Sequence, residues 1–102
     1  MSVNKFFVEG GGFNDNTIRG KQWKTLVEEY NYSAIYKDLN LNPRNTIIID
    51  DQPRFLETAL QTGANVIQSC ITGEFEPQYQ FFVKKMEKLP QIINDLLIFY
   101  NL

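Results

Sequence analysis

The sequence predicts a small three-layer α/β unit with about three parallel strands and a long C-terminal helix. Short β-branched apolar runs alternate with longer stretches in which apolar residues recur every three or four positions. Turn-forming residues separate these segments. Alternating strands and helices imply a parallel sheet joined by right-handed crossovers. The 102 residues are enough for one domain with a modest core.

The N-terminal part is predicted to contain a strand, a loop and a helix. Lys5 to Val8 is short and apolar, and the segment from Glu9 to Asn16 is rich in Gly and Asn, which favours a loop. Helical periodicity then runs roughly from Arg19 to Leu39, with a break expected at Asn31.

The central part contains the clearest strand. Thr46 to Ile49 is short, apolar and entirely β-branched, as is typical of a strand buried on both faces. A turn is expected before it, at Asn42 to Asn45. Pro53 opens the next helix, which ends at Thr62 with Gly63 as its C-terminal cap.

The residues after Pro53 alternate helix, strand and loop. Four apolar side chains of the helix are expected to be buried: Phe55, Leu56, Ala59 and Leu60. Asn65 to Cys70 is predicted to be a further strand, and Ile71 to Pro77 a loop.

The tail from Gln78 to Tyr100 is predicted to be helical and strongly apolar, with Pro90 kinking or dividing it. Its apolar stripe favours a core-facing helix over a seam with a partner; the stripe comprises Phe82, Met86, Leu89, Ile93, Leu96 and Tyr100. The polar face is thin near the end, where Leu97, Ile98 and Phe99 also lie, so an interface is a second expectation.

Composition excludes several classes of function. A net charge of −2 and a pI near 5.0 argue against a nucleic-acid or membrane partner, and Lys84–Lys85 is predicted to be a solvated helix face. No signal peptide or transmembrane span is visible in the sequence, and none is expected. The single Cys70 favours a reducing compartment, the cytoplasm. The absence of His removes Ser-His-Asp chemistry, His-ligated zinc and a base for Cys70.

Two adjacent carboxylates, Asp50 and Asp51, follow the central strand. Ligands of open α/β sheets bind just beyond the carboxyl ends of the strands, and two ionised acids there need a cation or donors. Mg²⁺ is held by one or two carboxylates together with phosphate and water. The alternative is that Asp51 or Gln52 only caps the helix and that Asp50 is a solvated strand-end acid.

The segment from Asn45 to Pro53, Asn-Thr-Ile-Ile-Ile-Asp-Asp-Gln-Pro, resembles the fourth motif of the haloacid dehalogenase (HAD) superfamily of phosphohydrolases. It is most similar to the branch of carboxy-terminal-domain phosphatases and NLI-interacting-factor-like proteins. The likeness continues through the helix and strand that end at Cys70, reaches back weakly to Lys21, and covers roughly half the chain. It implies that residues 1–102 form a single Rossmann-like (HAD-like) partial domain.

The resemblance implies a phosphatase site in which an Asp nucleophile attacks the phosphoryl group, Mg²⁺ neutralises charge and a Lys holds the phosphoryl oxygens. Asp50 would contact Mg²⁺ directly or through water, and Asp51 would be a second ligand or would orient metal-bound waters. The candidates for the phosphate-binding lysine are Lys24, Lys21 and Lys37, in that order. Both Lys24-Thr-Leu and Lys37-Asp-Leu resemble the family segment, but in a continuous helix Lys37 would lie far from Asp50.

The family's nucleophile motif, an Asp, any residue and a second Asp after the first strand, has no counterpart here. Asp15 lies instead in the Gly-rich loop. We therefore expect a phosphatase fragment that is inactive alone and would act on a phosphorylated substrate if completed. The strand that ends in Asp50 also loses its usual neighbour, so Lys5–Val8, a second copy or a separate polypeptide must cover that edge.

Two other functions stay open. One is a non-catalytic interaction module that keeps this half of the fold and dimerises through its tail, since a homodimer or a partner chain is expected. The other is a receiver-type phospho-acceptor domain, because Ile-Ile-Ile-Asp-Asp-Gln-Pro also resembles the opening acidic pair of response regulators. Too little chain follows for a receiver, and its later Asp and Lys have no convincing match.

Overall fold

A computed structural model describes residues 5–8 and 31–102 of the chain. Its parallel strands are β1 (Lys5–Val8), β2 (Thr46–Asp50), β3 (Asn65–Ser69) and β4 (Phe82–Val83), and they lie side by side in chain order. The helices in the described residues are α1 (Tyr32–Leu39), α2 (Pro53–Gln61) and α3 (Leu89–Phe99). The predicted α/β class is confirmed.

The sheet carries an apolar cluster on each face, and the helices outside them give three layers. The cluster beneath α1 and α2 includes Tyr32, Ile35, Tyr36, Ile48, Phe55, Leu56, Ala59, Ala64 and Val66. The cluster beneath α3 comprises Ile47, Ile49, Ile67, Val83 and Leu96. Every residue of β2 is buried, as the sequence predicts for a central strand.

The edge of β2 that faces away from β3 is paired with the chain's own β1. Lys5 lies opposite Thr46 and Val8 opposite Ile49, in parallel register. Of the three occupants expected for this edge, the structure therefore has the segment Lys5–Val8. The predicted loop from Glu9 to Asn16 lies outside the described residues.

Helix α1 begins where the sequence predicts a break. The side chain of Asn31 accepts a hydrogen bond from the backbone N–H of Ala34 at 3.2 Å, which caps the first turn. The helix ends at Asn40, which has a positive φ of 54°. The predicted helical residues before Asn31 lie outside the described part of the chain.

Helix α2 begins at the predicted residue, ends one residue before the predicted Thr62, and has a narrower buried face than predicted. Pro53 occupies its first turn, and Gly63 follows it with a φ of +92°, a conformation that glycine adopts without strain. Phe55, Leu56 and Ala59 are buried. The prediction for Leu60 was wrong, because this side chain is 40% exposed.

The predicted long tail helix was wrong in its first half. Phe82–Val83 extends the sheet as β4, Met86–Lys88 forms a single 3₁₀ turn, and α3 starts only at Leu89. Pro90 lies in the first turn of α3, where a backbone N–H has no partner within the helix, so the missing N–H of proline costs no hydrogen bond. The tail stripe is divided accordingly: Leu96 is buried, whereas Met86 and Tyr100 are exposed.

Strands β3 and β4 are joined by a crossover without a helix, and a buried glutamine holds this crossover in place. The amide Nε2 of Gln68 donates to the carbonyl of Glu76 at 3.1 Å, and its Oε1 accepts from the backbone N–H of Gln78 at 2.7 Å. The hydroxyl of Tyr79 donates to the carbonyl of Pro53 at 3.0 Å. The crossover therefore packs on the α2 side of the sheet. No helix within the described residues is long and apolar enough to cross a membrane.

Because Tyr36 is buried, the free energy of unfolding is expected to fall at alkaline pH. Burial raises the pKa of the Tyr36 phenol above its ordinary value of 10.0, although the hydrogen bond with Thr62 lowers this pKa in part. The folded protein thus favours the neutral phenol, a stabilisation that is complete below pH 10 and is lost as the pH rises through the raised pKa. We expect urea unfolding to show falling stability above about pH 10, and Tyr36→Phe to make that fall shallower. An identical pH slope in Tyr36→Phe would contradict this assignment.

Candidate functional site

Asp50 ends the central strand and is buried, with only 1% of its surface exposed. Its Oδ1 accepts a hydrogen bond from the backbone N–H of Gln52 at 2.9 Å, two residues along the chain. This local bond shapes the turn between β2 and α2 and fixes the carboxylate. The expectation of a solvated strand-end acid was therefore wrong for Asp50.

The simple helix-cap explanation of this segment is also wrong. Gln52 occupies the N-cap position of α2, but its side chain makes no capping hydrogen bond. Its Oε1 instead accepts from Nε of Arg54 at 2.8 Å. Asp51 lies before the cap position and is half-buried, so it is the more accessible acid of the pair.

The strand register identifies which residues share the carboxyl edge with the acids. Asp50 lies opposite Gln68 on β3, and Gln68 lies opposite Phe82 on β4. Two residues further along, Cys70 lies beside Lys84, and the backbone N–H of Cys70 donates to the carbonyl of Val83 at 2.7 Å. Parallel strands end at one edge, so Lys84 is at the same edge of the sheet as Asp50.

A charge effect supports this position for Lys84. Burial raises the pKa of the Cys70 thiol, the positive charge of Lys84 opposes that rise, and the negative charge of Glu76 adds to it. Lys84 is exposed and directly follows β4. The expectation that Lys84 lies on a solvated helix face was wrong, because the helix begins only at Leu89.

The three lysines proposed from the resemblance are not brought to the acids in the described residues. Lys37 is exposed in the last turn of α1, from which the chain leads through a short turn to Thr46 at the amino end of β2. That end of the strand is opposite to Asp50. Lys21 and Lys24 lie outside the described residues.

The donor set fits a magnesium ion that keeps water ligands. Within residues 5–8 and 31–102, no group of three or more His, Cys, Asp or Glu side chains is arranged to hold a metal ion. Mg²⁺ does not need such a cage, since one or two carboxylates suffice together with water and phosphate. Asp50 and Asp51 are carboxylates of this kind, one buried and one half-buried, and would be the residues to hold such an ion.

A pocket elsewhere on the molecule does not include this site. It has a volume of about 180 Å³, and its walls are Leu60, Val66, Tyr79, Gln80, Phe81 and Tyr100. Typical ligand pockets are larger, with volumes of roughly 300–1,000 Å³. The strand-end acids are not part of this pocket.

Comparison with known proteins identified no relative of this chain. A scan against protein-family models, a search of curated proteins and a search of solved structures each found no match.

Proposed function

We propose that the chain is a fragment of a HAD-like, Mg²⁺-dependent phosphohydrolase, a phosphatase that supplies the metal side of the site and is inactive alone. The observation that carries this proposal is the placement of Asp50 and Asp51 together at the carboxyl end of a buried central parallel strand. This is where ligands of α/β sheets bind. The resemblance to the HAD motif is what indicates Mg²⁺ and a phosphoryl group as the ligands at this strand end.

The two acids have different parts in this proposal. Asp50 is held in one orientation by its bond to the Gln52 N–H. Asp51 offers carboxylate oxygens that solvent can reach. When bound, Mg²⁺ would neutralise charge on a phosphorylated substrate. The described residues contain no Asp-x-Asp after β1, so the covalent step has no nucleophile from them.

The proposal predicts magnesium binding without turnover. We expect calorimetric titration with Mg²⁺ to show binding that Asp51→Asn and Asp50→Asn each weaken by roughly tenfold, since each removes one anionic ligand. An aryl phosphate with Mg²⁺ should not be hydrolysed.

Asp95→Asn is the matched control, because it removes the same charge from an exposed position on α3. Equal Mg²⁺ affinity in the wild type, Asp51→Asn and Asp95→Asn would contradict the proposal. Hydrolysis that disappears in Asp50→Asn would show that a nucleophile is supplied, for example across a dimer.

The second candidate is a non-catalytic interaction module that forms a homodimer or binds a partner chain. One observation favours it: the end of α3 leaves Ile98 and Phe99 70% and 59% exposed. Apolar surface of this kind is typical of association sites when it is contiguous. A stable dimer in sedimentation, with no affinity for Mg²⁺, would favour this candidate over the phosphatase fragment.

The receiver alternative gains no support from the sheet. In the doubly wound order 2-1-3-4-5 of receivers, the strand carrying the acidic pair comes first and has later strands on both sides. Here β2 carries the acids and its neighbours are the earlier β1 and the later β3.

We further propose the cytoplasm as the location, because a single buried cysteine suits a reducing compartment.

A further inference from the structure

We infer that the outer edge of β4, the side of this strand that faces away from β3, binds an extended peptide as an additional strand of the sheet. The peptide carries one aromatic side chain and, about four residues away, acidic side chains. Strand addition of this kind takes its affinity from backbone hydrogen bonds and its specificity from pockets for side chains. The inference goes beyond the proposed function, because the site includes neither acid of β2 and needs no Mg²⁺.

The backbone hydrogen bonds of β4 supply the first argument. The carbonyl of Phe81 accepts from the N–H of Gln68 at 3.0 Å. The carbonyl of Val83 accepts from the N–H of Cys70 at 2.7 Å. In a parallel ladder the residue between two such residues directs its own N–H and C=O to the opposite side. Phe82 therefore offers a donor and an acceptor at the outer edge of β4, the last strand of the described sheet, and such an edge is a template for another strand.

The pocket of about 180 Å³ supplies the second argument, because it lies beside the amino end of β4. Its walls are Leu60, Val66, Tyr79, Gln80, Phe81 and Tyr100. Gln80 and Phe81 directly precede β4, so a strand that pairs with β4 passes the pocket within one or two residues. An apolar cavity of about 150 Å³ holds a benzene ring. The pocket therefore has the size of one aromatic side chain.

The rings around the pocket are arranged to receive such a side chain. The ring centre of Phe81 lies 5.6 Å from that of Phe99 and 5.9 Å from that of Tyr100. Aromatic pairs are favourable at separations of about 4.5–7 Å. Phe99 and Tyr100 are 59% and 47% exposed, so a further ring can join them without displacing a core residue. Another wall residue, Tyr79, is held by its hydroxyl bond to the carbonyl of Pro53 at 3.0 Å.

Charge at the carboxyl end of β4 supplies the third argument and favours an acidic peptide. Lys84 and Lys85 directly follow β4 and are exposed. The stretch 80–90 carries three lysines and one glutamate. Lys85 has an extended backbone, with φ −134° and ψ 132°, so it can flank an added strand. At about 3.3 Å per residue, Phe81 and Lys85 lie about 13 Å apart along the chain, which sets the spacing of the aromatic and acidic side chains.

A second copy of this chain fits the same edge less well. In a symmetric antiparallel pairing centred on β4, each copy presents the same stretch to the other. Between Gln80 and Met86 that stretch contains no acidic residue that could meet Lys84 and Lys85. The charges therefore favour a separate acidic peptide over self-association at this edge.

Fluorescence anisotropy with a labelled octapeptide, Ser-Glu-Glu-Val-Thr-Phe-Val-Ser, tests the inference on the full chain. We expect saturable binding that weakens about tenfold when the phenylalanine of the peptide is replaced by alanine, because a buried aromatic anchor carries much of the affinity. Replacing both glutamates of the peptide by lysines should weaken binding by a similar factor, and added salt should weaken only the binding of the glutamate peptide.

Two substitutions at Phe82 separate backbone pairing from side-chain contact. Phe82→Pro removes the outward N–H but leaves the bonds of Phe81 and Val83 to β3, and proline is tolerated on an edge strand. Phe82→Ala removes the same ring and keeps the N–H, so it is the matched control. We expect Phe82→Pro to bind the peptide about fivefold more weakly than Phe82→Ala. Equal affinities in two variants with wild-type circular dichroism would overturn the inference.

The pocket and the lysines are tested by variants that do not alter the strand. Tyr100→Ala should weaken peptide binding about tenfold, whereas Ile98→Ala, at an exposed position outside the pocket walls, should change it by less than about twofold. Reversing both charges, with Lys84→Glu and Lys85→Glu, should transfer the preference to the lysine-containing peptide. Lys37→Glu, on α1, is the control for charge reversal and should not do so.

Each remaining result supports or overturns the inference independently of the magnesium site. No peptide binding by the wild type, or binding that Tyr100→Ala and the charge reversal leave unchanged, would overturn it. Self-association that Phe82→Pro abolishes, in a chain that does not bind the peptide, would identify a second copy as the occupant and would also overturn it. Peptide binding in a chain without Mg²⁺ affinity would support it while the proposed function fails.

Discussion

Replacing Leu96 with alanine is expected to lower the free energy of unfolding by about 3 kcal/mol, because it opens a cavity in a fully buried cluster. Leu96 has no exposed surface and is the buried residue through which α3 packs on the sheet. Its neighbours in the cluster belong to β2, β3 and β4. Urea unfolding followed by circular dichroism measures the change.

Ile98→Ala on the same helix is the matched control. Ile98 is 70% exposed, so the same kind of truncation should change stability by less than about 0.5 kcal/mol. Similar losses in both variants would contradict the packing of α3. A large loss for Ile98→Ala that depends on protein concentration would show that the exposed end of α3 is buried in a dimer.

Replacing Gln68 with leucine should cost about 2 kcal/mol, since two hydrogen bonds are lost, one to the carbonyl of Glu76 and one from the N–H of Gln78. The new side chain is of similar size, so the loss comes from the hydrogen bonds and not from a cavity. Hydrogen exchange of the Gln78 amide should accelerate along with exchange in the rest of the crossover, because the crossover is then held mainly by Tyr79.

Gln61→Leu provides the comparison for this variant, since Gln61 is exposed at the end of α2. It should leave both the stability and the exchange of Gln78 close to those of the wild type. Unchanged exchange at Gln78 in Gln68→Leu would mean that the two hydrogen bonds do not hold the crossover.

The tail shows why periodicity alone misassigned part of the chain. Phe82, Met86 and Leu89 have the spacing of a helix, and a helix period matches both a true stripe and a chance alignment of short apolar segments. In the folded protein, the open edge of β3 takes up Phe82–Val83 as a short parallel strand. The backbone hydrogen bonds available at that edge decide the conformation there, and they are not visible in the local sequence.

The lysines show a similar limit for the candidate site. The resemblance directs attention to lysines near the motif in sequence, whereas Lys84 lies 34 residues after Asp50 (84 minus 50). Only the pairing of β2 with β3 and of β3 with β4 brings both residues to one edge.

The sequence by itself determined the parts of this protein that depend on neighbouring residues. A short β-branched run favours a central strand buried on both faces, Pro53 and Gly63 delimit α2, and the acids after Ile49 then lie at the carboxyl end of that strand. The tertiary structure alone decided the identity of the strand beside β2, the strand at Phe82–Val83, the exposure of Leu60 and the edge shared by Asp50 and Lys84. These features depend on which distant backbone edges and apolar faces pair with one another, and the free energy of that pairing is a property of the whole fold.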